Sequence, residues 1–150
     1  MSPKFDMAVL NDPAYVRTNP ADVAAALAHL GCAASDAFRE FYEQKAGPFS
    51  SAHWRFMLLD LIDQDVNIVT QTQECRAEFG LPERYLVISD LVGNAVLVYD
   101  CATDALFNMD FEGGDKELVA GTLPPAWGSF NEFLSDYFAA VDPRGVPPVR

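Results

Sequence analysis

The sequence predicts an α+β domain, and three observations carry that expectation. Between Tyr85 and Phe111, three apolar runs rich in branched and aromatic residues are separated by turn residues, as in an antiparallel meander. Ahead of that stretch, apolar residues recur at helical spacing. Behind it, Ser129-Phe-Asn-Glu132 is a capping box that opens a run in which Phe130, Phe133, Leu134, Tyr137, Phe138 and Val141 repeat at three and four. The expected architecture is a single domain: a twisted antiparallel sheet, centred on the meander, packed by N-terminal helices and a C-terminal amphipathic helix. The length of 150 residues suits one domain. A chain of this size buries roughly 68–70% of its unfolded surface, enough for a core without staples.

Residues 1–18 lack sustained periodicity and are punctuated by Asp12-Pro13, which predicts a loosely attached, extended arm ahead of a domain over 19–142. Asn19 reads as an N-cap with Pro20 at the first helical position, Val23, Ala26, Leu27 and Leu30 on one face, and Gly31 as a left-handed stop. Ser35 caps a second helix that sets Phe38, Phe41 and Tyr42 against Arg39, Glu40 and Glu43, and Gly47-Pro48 ends it. The apolar segment Trp54 to Ile62 fits a strand or a buried helix, which periodicity does not separate in so short a run. A third helix is expected over Asn67 to Phe79, with Ile68, Cys75 and Phe79 on one side and Gly80-Leu81-Pro82 as its stop.

In the meander, Gly93-Asn94 reads as a type II′ turn. The middle run, Ala95 to Asp100, is apolar on both faces. The third sets Phe107, Met109 and Phe111 on one face, expected to floor the closing helix, and Leu106, Asn108 and Asp110 on the other. Glu112 to Glu117 reads as a polar loop and Leu118 to Thr122 as a short edge strand. Pro124 and Pro125 exclude regular structure before the closing helix, and Trp127 in that loop is expected to lid the core. Asp142-Pro143 ends the helix, and residues 143–150 read as a mobile tail.

Chemistry-bearing motifs are sparse. His29 and His53 share no ligand spacing, no Walker loop, Rossmann glycine pattern or GxSxG elbow occurs, and no cofactor or metal is expected. Cys32, Cys75 and Cys101 are odd in number and widely spaced, which reads as reduced thiols in a cytoplasmic protein. The apolar piece Met7 to Leu10 is too short for a signal sequence, and no run approaches a membrane span.

Carboxylates are the remaining resource. There are 22 Asp and Glu against 10 Lys and Arg, a net charge of -12, which disfavours nucleic acid and anionic membranes and favours basic protein surfaces. Asp60, Asp63 and Asp65 form one cluster. Asp100, Asp104, Asp110, Glu112, Asp115 and Glu117 form another around the meander. The plain interpretation of the second cluster is a solvated face; the sharper one is an acidic docking surface. A carboxylate enzyme needs instead a closed pocket in which two carboxylates converge, one with a raised pKa.

The residues also carry a resemblance. Leu30-Gly31 followed by Phe38 to Tyr42, the Ala46-Gly47 turn, the hairpin Leu86 to Tyr99, the Asp100 to Asp104 turn ahead of Leu106-Phe107, and Ser129-Phe130 with Phe133-Leu134 are similar to the SMI1/KNR4 (SUKH) superfamily over about residues 20–140. Family members commonly show Leu-Pro before the second helix and Asn-Gly after it, where Ala33-Ala34 and Ala46-Gly47 stand here. The resemblance implies an α+β fold, with a strand in the first half of Trp54 to Ile62, and a binding role. Bacterial members are often cytoplasmic immunity proteins of polymorphic toxin systems, which neutralise a toxin, often a nuclease, by binding it; some eukaryotic members are regulatory binding proteins. The expectation is therefore a non-enzymatic immunity protein with a cognate toxin as partner. The alternatives are a regulatory or scaffold protein of the same fold and a small carboxylate enzyme.

Overall fold

The computed structural model describes residues 12–52 and 54–139. In chain order the elements are a short 3-10 turn at Pro13–Tyr15, then α1 (Ala21–Leu30), α2 (Asp36–Gln44), α3 (Ile68–Phe79), β1 (Tyr85–Val87), β2 (Ala95–Asp100), β3 (Leu106–Asp110), α4 (Gly114–Ala120) and α5 (Phe130–Tyr137). The strands form one antiparallel sheet in the order β1-β2-β3, with Leu86 opposite Tyr99 and Val98 opposite Phe107. This is the expected α+β meander. Its first hairpin turns on Gly93 and Asn94, both at positive φ (59° and 62°), between the mutually bonded Val92 and Ala95. Positive φ at both central residues makes it type I′, not type II′; the Asn side chain tolerates the left-handed region that the second position needs.

Strand alternation splits the core in two. Leu86, Ile88, Leu97, Tyr99 and Leu106 face one cluster, filled by α1, α2 and α5 through Leu27, Leu30, Phe38, Tyr42, Phe130, Phe133 and Tyr137. Tyr85, Val87, Val96, Val98, Phe107 and Met109 face a second, closed by Leu81 and by Leu118 of α4. The buried middle strand follows from this two-sided cover. The closing helix does not lie on Phe107 and Met109 as expected. It packs on the opposite face with Leu106, because α3 and α4 already cover the Phe107 side.

Local chemistry explains the other departures. Leu118 to Thr122 is not a strand. The Asp110 carboxylate accepts from the amides of Glu112 (2.9 Å) and Gly114 (3.0 Å), which starts a helical turn directly after β3. Gly121 closes α4 in the left-handed region. Trp54 to Ile62 forms no strand either. Leu58 alone bridges Phe49 on one side and Ser89 on the other. The polar backbone of this irregular stretch is satisfied by scattered backbone bonds and by buried tyrosines, as buried amides and carbonyls require. The Tyr42 hydroxyl donates to the Leu59 carbonyl (3.0 Å), while the Tyr137 hydroxyl accepts from the Leu58 amide (2.9 Å) and lies 2.7 Å from the Phe56 carbonyl.

The helix caps fall close to expectation. Ser35 accepts from the Phe38 amide, Ser129 from the Glu132 amide, and Asn67 and Thr70 form a reciprocal box at α3. Pro20 takes the cap position of α1, one residue after the expected Asn19, whose side chain bridges Arg17 and Asp63. Phe79, expected on the buried side of α3, is 47% exposed.

Residues 12–18, read as part of a loose arm, are fastened. Val16 bridges Lys45, and buried Arg17 reaches the Tyr42 and Lys45 carbonyls and the buried Asp60 carboxylate. The rest of the arm, His53 and the tail lie outside the described residues. Trp127 lids the core as expected, edge-on to Phe133 (5.0 Å) and Trp54 (5.2 Å).

The cysteines differ from expectation. Cys32 and Cys101 are joined in a disulfide, with Cα atoms 5.9 Å apart and a sequence separation of 69. The Gly31 stop turns the chain after α1 towards the end of β2, and only that tertiary placement brings the two thiols together. Cys75 is the free cysteine among the described residues. Burial and the carboxylates of Glu74 and Glu78 push its thiol up to about 11, so it stays protonated near neutral pH.

Candidate partner-binding surface

The six acidic residues expected at a partner surface separate into two groups. Asp100 and Asp104 belong to the β2–β3 turn and serve the fold. Asp100 is buried at the end of β2. It takes a two-pronged ion pair from Arg84 (3.0 and 2.6 Å), and it accepts from the Ala102 amide and the Thr103 hydroxyl at 2.9 Å each. Burial raises its pKa, but Arg84, the Ala102 amide and Thr103 outweigh burial and hold the carboxyl below the ordinary range. Asp104 sits at φ 69°, a conformation Asp tolerates better than most residues. Its carboxylate accepts from the Tyr99 hydroxyl (2.7 Å) and from the Phe130 amide at the start of α5 (3.1 Å). The turn thereby couples the sheet to the closing helix.

The other four lie around α4. Asp110 is exposed but engaged by the amides of Gly114 and Glu112, which lower its pKa. One oxygen of Asp115 is buried without a hydrogen-bond partner. The carboxylates of Glu112 and Glu117 are exposed and accept no hydrogen bond from the described residues. The acidic rim expected as one surface is therefore one buried structural turn plus a solvated helix end. Glu74 and Glu78, exposed along α3, add to the solvated part.

Between the turn and α4 lies an open cleft of about 480 Å³, lined by Arg84, Tyr85, Asp100, Phe107 and Leu118 and bounded by the proline-rich loop at Leu123 and Pro125. Arg84 is half exposed, with its guanidinium 5.3 Å from the Tyr85 ring centroid. Asp100 is the carboxylate in this cleft, and Arg84 holds it ionised. Carboxylates also converge where Asp60 and Asp63 meet Arg17, but Asp60 there accepts the amides of Gly47, Ile62 and Asp63. The chemistry on offer at the cleft is charge recognition beside an apolar floor.

Sequence reading missed Arg84 at this cleft. Counting outward from the Gly93-Asn94 turn would set Tyr85 opposite Ala102; the observed ladder is shifted by two residues, with Tyr85 opposite Asp100, and that shift puts Arg84 beside Cys101. Among the described residues, no group of three or more His, Cys, Asp or Glu side chains is placed to hold a metal ion, and no helix is long and apolar enough to cross a membrane.

No curated protein matches the sequence. The profile of the SMI1 / KNR4 family (SUKH-1) matches residues 17–136, which begins at the buried Arg17 and ends within α5. That span takes in the caps, the meander, the Asp100–Asp104 turn and most of the closing helix, well over half of the chain. This chain belongs to the SMI1/KNR4 (SUKH-1) family.

Proposed function

We propose that this chain is an immunity protein of a polymorphic toxin system, acting in the cytoplasm by binding a cognate protein toxin and not by catalysis. The observation that carries the reading is the family match over residues 17–136. A net charge of -12 and the solvated carboxylates on α3 and α4 support a basic partner, such as a nuclease whose substrate cleft must attract phosphates. The direct test is co-expression with the C-terminal toxin domain of a large secreted protein encoded beside this gene. Growth restored by this chain supports the proposal; growth arrest in its presence at full expression contradicts it.

The Cys32–Cys101 disulfide favours a second reading, a binding protein of the same fold working in an oxidising compartment. Alkylation of thiols at the moment of lysis separates the two. Three modified cysteines fit the cytoplasm, and one fits the oxidised protein.

A further inference from the structure

We propose that the ring pair Phe79–Phe111, with the carboxylates of Glu78 and Glu112 beside it, is the surface on which a basic protein partner docks. The proposal rests on the protein-binding reading above. Phe79 ends α3 and is 47% exposed, the one exposed phenylalanine among the described residues. Its ring lies 4.6 Å from that of Phe111, centroid to centroid, at 36°, and Phe111 follows directly on β3. The pair thus spans from the helix on β1 to the end of β3, above the second core cluster. The other described phenylalanines are all withdrawn into the core. A large aromatic left in water on a rigid element is the kind of residue that interfaces use as an anchor.

The charges around it define the occupant. Glu78 and Glu112 are exposed and adjacent in sequence to the two rings, and Glu74 lies one helical turn before Glu78. Like charges at i,i+4 oppose the helix, and a cation placed between them relieves that opposition. Arg76 donates to the Glu83 carbonyl (2.8 Å) and Arg84 is held by Asp100, which leaves exposed Lys116, four residues after Glu112, as the one nearby cation not so engaged. One lysine does not offset Glu74, Glu78 and Glu112, so the balance of positive charge comes from outside. Arginine fits both features, since its guanidinium stacks on aromatic faces and forks onto carboxylates. A nucleic acid would bring phosphates against carboxylates, and a second copy of this chain would bring like charges together.

The test uses the full chain, isotope-labelled for amide NMR, titrated with an amidated helical peptide of leucine and arginine, roughly 15 residues long so that helix is attainable. The expected shifts concentrate at residues 74–80 and 108–113. Glu78→Lys with Glu112→Lys should weaken binding on the order of tenfold, and Phe79→Ala similarly, the size of an interface anchor. The charge-matched control Glu40→Lys with Asp65→Lys changes it by less than about twofold, because remote exposed charges are screened. Shifts centred elsewhere, equal losses in the control, or a dimer abolished by Phe79→Ala would each overturn the proposal. The toxin-domain assay separates the two readings. A Glu78→Lys, Glu112→Lys variant that associates with the toxin domain at the wild-type rate refutes this surface and leaves immunity standing. A wild-type chain that fails to protect refutes immunity, while the peptide titration still decides the surface.

Discussion

Arg17 and Asp60, 43 residues apart in sequence, form an ion pair with both side chains sealed from solvent. Asp60 also accepts the Gly47 and Asp63 amides, and the Arg17 guanidinium reaches two carbonyls at the end of α2. Three stretches without regular structure meet at this one pair: the approach to α1, the exit from α2 and the loop before α3.

Breaking the pair should therefore be costly from either side. Arg17→Ala or Asp60→Ala leaves a buried charge unpaired and should lower the unfolding free energy by about 3–5 kcal/mol. The double variant should lose clearly less than the sum of the two, because no lone charge then remains. Urea unfolding of the four proteins measures this cycle; strict additivity would show that the pair carries no coupling.

Reduction should destabilise the chain without altering the fold. Closing a loop of 69 residues contributes roughly 4 kcal/mol in the chain-entropy account. The urea midpoint should fall on adding dithiothreitol, and a Cys32→Ser, Cys101→Ser variant should match the reduced protein and ignore the reductant. A midpoint indifferent to reductant in the wild type contradicts the linkage.

Acid should weaken the fold through Asp100. Burial alone would raise its pKa, but Arg84 and the turn donors hold it below the ordinary value. Between the folded and unfolded values the unfolded chain binds more protons, so stability rises with pH there. The contribution is complete above the unfolded pKa of about 4 and is lost as pH falls through the folded value. Asp100→Asn should lower stability at neutral pH and flatten the slope below about pH 4. An unchanged slope would place the acid sensitivity on other carboxylates.

The closing helix offers a packing test. Phe133 is fully buried and Phe138 is 3% exposed, and each ring meets Tyr137 at 5.2 and 5.0 Å respectively. Truncation of either to Ala should cost on the order of 3–5 kcal/mol. Intact thermal stability in both variants would refute their burial.

Sequence reading succeeded where the determinants are local. Gly93-Asn94 between apolar runs, and Ser129 three residues ahead of Glu132, announce a hairpin and a helix with no knowledge of the rest of the chain. It failed where the determinant lies far along the chain. Cys32 meets Cys101 and Arg17 meets Asp60 only after the sheet and helices have assembled. Leu118 to Thr122 was misassigned because its branched residues suit a strand, while the Asp110 cap that starts a helix there works through backbone amides. The acidic rim shows the same limit for function. Composition displays the carboxylates of Asp100 and Asp104 but not the donors that already engage them, and so it overstates the surface left for a partner. Its solvated remnant at Glu112 and Glu117 was legible, whereas exposed Phe79 was not, because helical periodicity placed it on the buried side.

The chain has two tryptophans, and both indole N–H groups donate to one residue, Asp136 of α5, from Trp54 at 3.2 Å and Trp127 at 2.8 Å. All indole emission therefore originates at a single junction of loop, loop and helix. Fluorescence of the unmodified protein is a local gauge of whether α5 is seated, and circular dichroism of the peptide backbone is a global one. If the fluorescence curve runs ahead of the circular dichroism curve, α5 lifts from the core as a unit ahead of the sheet.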